Sequence, residues 1–255
     1  MIEKKDLQDY ARLKGLSLGN AEKDYLLDIA LLSISQRTKN ELVFKGGTCL
    51  YKFNKLNRFS EDLDFSLIKD IDVDNLIGLL IKDFKKFGIK AVQYKKKEPF
   101  NSVLITLRIE GPLYAGRSVS YANIGIDINL KSEVLLEPIA LSFNSVYPEI
   151  ASINVLCMQE EEIFSEKIRA VMSRNKARDL FDLYFLLTNG VHCKKEIIEK
   201  KMEYYNEKFD IKKLIKKIKS FKEIWAKDLR GFTPLLPDFE KTSKFVIGQL
   251  SKMYG

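Results

Sequence analysis

The chain moves between two hydrophobic rhythms, and each change of rhythm marks an element. Residues 4–16 place Leu7, Tyr10, Ala11 and Leu13 in otherwise polar sequence, a short helical pattern. In SLGNAEKDYLLDIALLSISQRTKN, Tyr25, Leu26, Ile29, Leu32 and Ile34 recur at helical spacing and predict a helix from near Asn20 to Thr38–Asn40. ELVF reads as a short buried strand, GGT as a turn, TCLYKF as a helix opened by that turn, and NKLNR as a polar loop. FSEDLDFSLI has the period of a strand, with Asp62, Asp64 and Ser66 alternating against Leu63, Phe65 and Leu67. VDNLIGLLIKDFKKFG is an amphipathic helix with Leu76, Leu79, Leu80, Ile81 and Phe84 on its buried side and Gly88 at its stop.

IKAVQY, SVLITLRIE and NIGIDINLK are three further strands, separated by turn-rich KKKEPFN and GPLYAGRSVSYA, and PIALSF is a fourth. After Ser152 the pattern turns helical. INVLCMQEEEIFSEKIRAVMSR, KARDLFDLYFLLTNG, KEIIEKKMEYYNEKF, DIKKLIKKIKSFKEIWAKDL and PDFEKTSKFVIGQLSKMY all read mostly as helices. The order predicts an α+β chain: an α/β domain over 1–152 and a helical domain over 153–255.

Composition narrows the classes. Hydrophobic residues make up 45% of 255, enough for a sizeable core. No run of 18 apolar residues is present, so no membrane span is expected, and the N-terminus lacks a signal-peptide apolar region. Cys49, Cys157 and Cys193 are scattered and odd in number, which fits a reduced, cytoplasmic protein. The net charge is +8, and from Gly190 onward there are sixteen Lys and Arg against nine Asp and Glu. That excess suits a polyanion such as RNA or DNA. Solvated helix faces in a lysine-rich chain account for it equally well.

Candidate chemistry centres on Phe44–Ser66. Asp62 and Asp64, two apart on a strand, point to one face, where a cation relieves their repulsion. Mg²⁺ suits them because it takes oxygen ligands and keeps room for waters and phosphates. A surface strand of alternating charge fits the same spacing. Lys45, Gly46, Gly47 and Thr48 form a turn whose backbone N–H groups and helix N-terminus suit phosphate, with Thr48 as cap or phosphate ligand. Arg58 and Ser60, just before the acids, are placed to reach a triphosphate, or else belong to a solvated loop. Asp127, in GIDINL, is a third acid suited to metal binding or to general-base work on an attacking hydroxyl. Lys167 lies on a half-apolar helix side, able to snorkel or to meet phosphate. Asp179 and Asp182 share one helix face opposite buried Leu180, Leu183, Tyr184 and Leu187, with Arg174, Lys176 and Arg178 as possible ion-pair partners. The single histidine, His192, reads as a solvated loop residue, which argues against histidine-based catalysis.

LVFKGGTCLYK, RFSEDLDFS, EKIRAVMSR and RDLFDLYFLL, in that order, resemble the AbiEii-type nucleotidyltransferases, a family of type IV toxin–antitoxin and abortive-infection toxins that includes the mycobacterial MenT group. The likeness covers about residues 20–190. It implies a DNA polymerase β-like nucleotidyltransferase core, a mixed sheet with helices, ahead of the helical half. It also implies an NTP substrate held through Mg²⁺, with two ions. Carried over, Gly47, Thr48 and Ser60 hold the triphosphate, and Asp62 and Asp64 bind metal. Lys167 contacts the nucleotide, and Asp182 or Asp179 is the late acidic residue. One cleft gathering Gly47, Asp62, Asp64, Lys167 and Asp182 is the corresponding expectation. The implied reaction is transfer of a nucleotide to an acceptor, first of all an RNA (tRNA) 3′ hydroxyl, under restraint by a cognate antitoxin protein. Alternatives are a protein-directed nucleotidyltransferase or kinase-like enzyme, and a non-enzymatic NTP- or nucleic-acid-binding module.

Overall fold

The computed structural model describes residues 1–131 and 133–255. Two compact units share the chain. The first takes most of Met1–Cys157. The second takes Met158–Gly255 together with Leu56–Arg58 and Glu133–Glu137.

The first unit runs α1 (Lys4–Lys14), α2 (Leu18–Ser35), β1 (Leu42–Lys45), α3 (Gly46–Phe53), β2 (Asp62–Leu67), α4 (Val73–Lys86), β3 (Lys90–Lys97), β4 (Ser102–Glu110), β5 (Ala122–Asn129), β6 (Ile139–Phe143) and β7 (Ile153–Cys157). Its strands form one sheet in the order β3-β4-β5-β2-β1-β7-β6. The β2–β5 and β1–β7 pairs are parallel, and the remaining pairs are antiparallel. Period-2 patterning gives the sheet two unlike faces. Leu63, Phe65, Ile105, Leu107, Ile126 and Ile128 are buried, and α2 packs along β2, β5 and β7 while α4 packs on β3. The alternate residues of β2, β4 and β5 are mostly exposed or half-buried. Helix ends follow local chemistry. The Ser17 and Asp72 side chains accept the Asn20 and Asn75 N–H groups, and Gly88 (φ +70) closes α4 with Ile89 N–H on the Phe84 carbonyl.

The second unit is helical: α5 (Glu160–Ser173), α6 (Ala177–Thr188), α7 (Lys195–Glu203), α8 (Ile211–Ser220), α9 (Lys222–Leu229) and α10 (Phe239–Tyr254). Two expectations need correction. Ile153–Cys157 is a strand, not the start of a helix: Ile153, Val155 and Cys157 alternate inward, and the segment pairs with β1 and β6. DIKKLIKKIKSFKEIWAKDL is two helices, α8 and α9, which meet at fully buried Phe221.

Charge is buried inside the first unit as well. The Lys52 ammonium on α3 lies 2.5 Å from both Asp24 and Asp28 of α2, and Lys14 lies 2.5 Å from Asp24. The Tyr147 and Ser145 hydroxyls donate to Asp24 and Asp28 at 3.0 and 2.6 Å. Burial works against the Lys52 charge, but the two carboxylates outweigh it and raise its pKa. Burial also opposes ionisation of Asp24, and there Lys52 and Lys14 prevail and lower it. Lys52→Met leaves both acids without their shared cation. It should destabilise the protein by about 3–5 kcal/mol, read as a lower urea midpoint.

Candidate active site

The turn between β1 and α3 is shaped by one close approach. Gly46 has φ +75, and a Cβ there would fall on the Asp64 carboxylate. Lys45 is extended, opposes Asp64 in the β1–β2 ladder and is buried. Thr48 is fully buried, and its hydroxyl donates to the Asp62 carbonyl, so α3 is tied to the start of β2. Ser60 is buried just ahead of the acids.

Asp62 is exposed and Asp64 half-buried on one face of β2. The parallel register sets Asp127 beside Asp64 and Gly125 beside Asp62. A Cβ on Gly125 would meet the Asp62 carboxylate, which therefore lies over β5. Three carboxylates thus share the open face of two neighbouring strands, about 4.8 Å apart. The Ser66 hydroxyl, buried on the same side of β2, makes no hydrogen bond. Among the described residues, no three His, Cys, Asp or Glu side chains by themselves make up a metal site. An all-oxygen set that leaves ligand positions for phosphate and water still fits Mg²⁺, which is commonly held by one or two carboxylates plus substrate.

The second unit holds the other predicted residues. Arg58 spends its fork on Asp182, with Nε and Nη2 at 2.6 and 2.7 Å from the two carboxylate oxygens. Lys167 Nζ on α5 lies 2.7 Å from Asp182 and 3.2 Å from Asp179. Arg174 grips Asp179 at 2.6 and 2.7 Å. Arg58, Lys167, Asp179 and Asp182 are all buried, so α6 buries its acidic face as well as its leucines. Burial opposes the Asp182 charge, but Arg58 and Lys167 overcome it and hold the pKa below the usual carboxylate range. Lys167 and Arg174 do the same for Asp179. His192 is exposed, its Nδ1 3.0 Å from the Gly190 carbonyl.

The sequence reading missed the Lys14–Lys52–Asp24–Asp28 cluster. Two acids at i and i+4 inside an otherwise apolar helix were its signal. It also missed Arg58 as the partner of Asp182, for which a separation of 124 positions leaves no local signal.

The two depressed carboxyls give the second unit an acid dependence of known sign. Their contribution is complete above the unfolded value of about 4 and is lost as pH falls below it towards the native values. Asp182→Asn should lower stability at pH 7 by about 3–5 kcal/mol. The difference from the parent should shrink below about pH 4, as measured by urea unfolding across pH.

Known proteins share this architecture. JHP933 from Helicobacter pylori is 23% identical, with 93% of this chain and 95% of that one covered at a TM-score of 0.52. The nucleotidyltransferase toxin MenT4 (Rv2826c) of Mycobacterium tuberculosis H37Rv is 16% identical over 98% and 90%, at 0.63. A putative nucleotidyltransferase from H. pylori is 22% identical over 94% and 100%, at 0.53. These likenesses establish the fold, and no curated protein matches. The family profile described as nucleotidyl transferase AbiEii toxin, type IV TA system, matches residues 30–245. The chain therefore belongs to the AbiEii family and is a nucleotidyltransferase of the toxin–antitoxin type.

Proposed function

We propose that the enzyme moves a nucleoside monophosphate from an NTP to the 3′ hydroxyl of an RNA, tRNA being the first candidate. The observation that carries the reading is the carboxylate face of Asp62, Asp64 and Asp127 beside a glycine turn closed on Asp64. In this reading Lys45, the Gly46–Gly47 backbone, Thr48 N–H and Ser60 hold the triphosphate. Asp62 and Asp64, with Asp127 and the phosphates of the substrate, would hold magnesium, and two ions would supply charge to neutralise the triphosphate and acidify the hydroxyl. Asp127 takes the hydroxyl proton. The 3′ oxygen bonds to the α-phosphorus, the bond to the β-phosphate bridge breaks, and pyrophosphate leaves. Within the second unit Lys167 is the residue that the family likeness assigns to the nucleotide; Asp182 and Asp179 position it, while Arg58 and Arg174 hold those acids.

An RNA acceptor is supported by charge. Lys219, Lys222, Lys241 and Lys244 line an open groove of about 730 Å³ in the second unit, with Glu240 among them paired to Lys222 at 2.7 Å. Ammonium groups on such a surface follow a phosphate backbone and make binding salt-dependent. No helix among the described residues is long and apolar enough to cross a membrane, and none of the three cysteines is in a disulfide. We place the enzyme in the cytoplasm, restrained by a cognate antitoxin protein.

Incubation with each labelled NTP, Mg²⁺ and total RNA should label RNA, and Asp62→Ala/Asp64→Ala should abolish the signal. Label on protein with none on RNA would overturn the RNA acceptor. Gly46→Ala, which forces a side chain against Asp64, should slow transfer about a hundredfold while the protein stays folded by circular dichroism.

A further inference from the structure

The face that carries Asp62, Asp64 and Asp127 continues across β4 to the edge strand β3. From Asp62 the register passes to Gly125 and on to Thr106 of β4. Two residues further along, Arg108 stands beside Asn123. The step is about 12 Å from Asp62, two strand spacings across and two residues along. A bulge between Gln93 and Lys95 takes Tyr94 out of the β3 ladder. The Arg108 guanidinium carbon lies 3.4 Å from the Tyr94 ring centroid and 5.3 Å from that of Tyr121. Tyr121 in turn meets Tyr114 at 4.7 Å. Aromatic, cation, aromatic and aromatic groups follow one another in a single ladder.

Cation–π contact accounts for the Arg108 stack as packing. It does not account for what the stack leaves open. Tyr94 is 45% exposed, its neighbour Val92 is 46% exposed, and the buried Arg108 Nε makes no hydrogen bond. Asn123, beside Arg108, is exposed, and the Lys95 ammonium sits 5.0 Å from the Tyr94 ring. Rings interleaved with cations on an open sheet face are the equipment of single-strand nucleic-acid binding, because every base offers a π-face.

Position selects which nucleotide. The glycine turn leaves β1, the acids lie on β2 and β5, and the ladder lies on β4 and β3, so the acids separate turn from ladder. In an in-line displacement the attacking oxygen lies opposite the leaving one. With pyrophosphate leaving at the turn, the acceptor approaches from the ladder. We propose that Tyr94, Arg108 and Tyr121 form a stacking platform for an unpaired base at the 3′ end of the acceptor RNA, an inference that rests on the reading of the site as an RNA 3′ nucleotidyltransferase.

The test is equilibrium binding to the full chain with no NTP present, so that nothing is transferred. One probe is a short single-stranded RNA, and the other is the same RNA with abasic nucleotides at its 3′ end. Tyr94→Ala, at an exposed position, should weaken the base-bearing RNA about tenfold and leave the abasic RNA unchanged, and Tyr94→Trp should restore binding. The KM for NTP should not move. Equal loss for both RNAs, no loss for either, or a loss that falls on NTP affinity overturns the platform. Base-dependent binding through Tyr94 with no RNA labelled by any NTP would keep the platform and sink the transfer reading. RNA labelling with Tyr94→Ala binding both probes as the parent does would sink the platform alone.

Discussion

The Asp64 carboxylate fills the space that a side chain at position 46 would need, and the working end of the first unit depends on that approach. It obliges the chain to leave β1 through a left-handed glycine at the point where Lys45 opposes Asp64. A helix must then begin at once, and α3 does. Its first turn is pinned by Thr48 to the Asp62 carbonyl, and its last by Lys52 to Asp24 and Asp28. The acids and the turn are therefore positioned by the same few contacts, and neither moves alone.

The two units use buried charge differently. The first set joins Lys14 and Lys52 to Asp24 and Asp28, burial pushes the Asp28 carboxyl up, and hydroxyls of Tyr147 and Ser145 complete it. Ion pairs of this kind add little net stability over an apolar core; their effect is geometric, since only one placement of α3 on α2 satisfies them. The second set joins Arg58, Lys167 and Arg174 to Asp179 and Asp182, three cations to two anions. Arg174 reaches Asp179 from a half-exposed position, whereas Lys52 of the first set is fully buried.

Much of this was legible wherever a local period carried it. The alternation in FSEDLDFSLI put Asp62 and Asp64 on one face, and Gly88 marked the end of α4. The register of Asp127 against Asp64 was not legible, because parallel pairing joins segments about sixty residues apart with no turn to set it. For Asp179 and Asp182 the sequence offered Arg174 as a partner, and Arg174 does hold Asp179, but the burial of the pair was not legible. Acids opposite a leucine stripe normally face water, but these find Lys167, Arg58 and Arg174 from elsewhere in the chain and are buried. β7 was hidden for another reason: five residues directly ahead of a long helix carry too short a period to stand out.

The parts of the open sheet face share a mount that the helical period of α2 concealed. Glu22 accepts the Leu113 N–H at 2.6 Å and lies where a side chain on Gly111 would go, so it holds the loop between β4 and β5; burial pushes its carboxyl up. Lys23 reaches Glu61 at 2.5 Å, one residue before Asp62. Asp24 and Asp28 hold α3 through Lys52. Charged residues along one otherwise apolar helix, Glu22 to Asp28, thus fix the three segments that carry the stacking ladder, the carboxylates and the glycine turn. Ordinary core packing of α2 leucines and isoleucines against the sheet sets the helix, and the helix sets the loops. A shift of α2 would disturb all three at once.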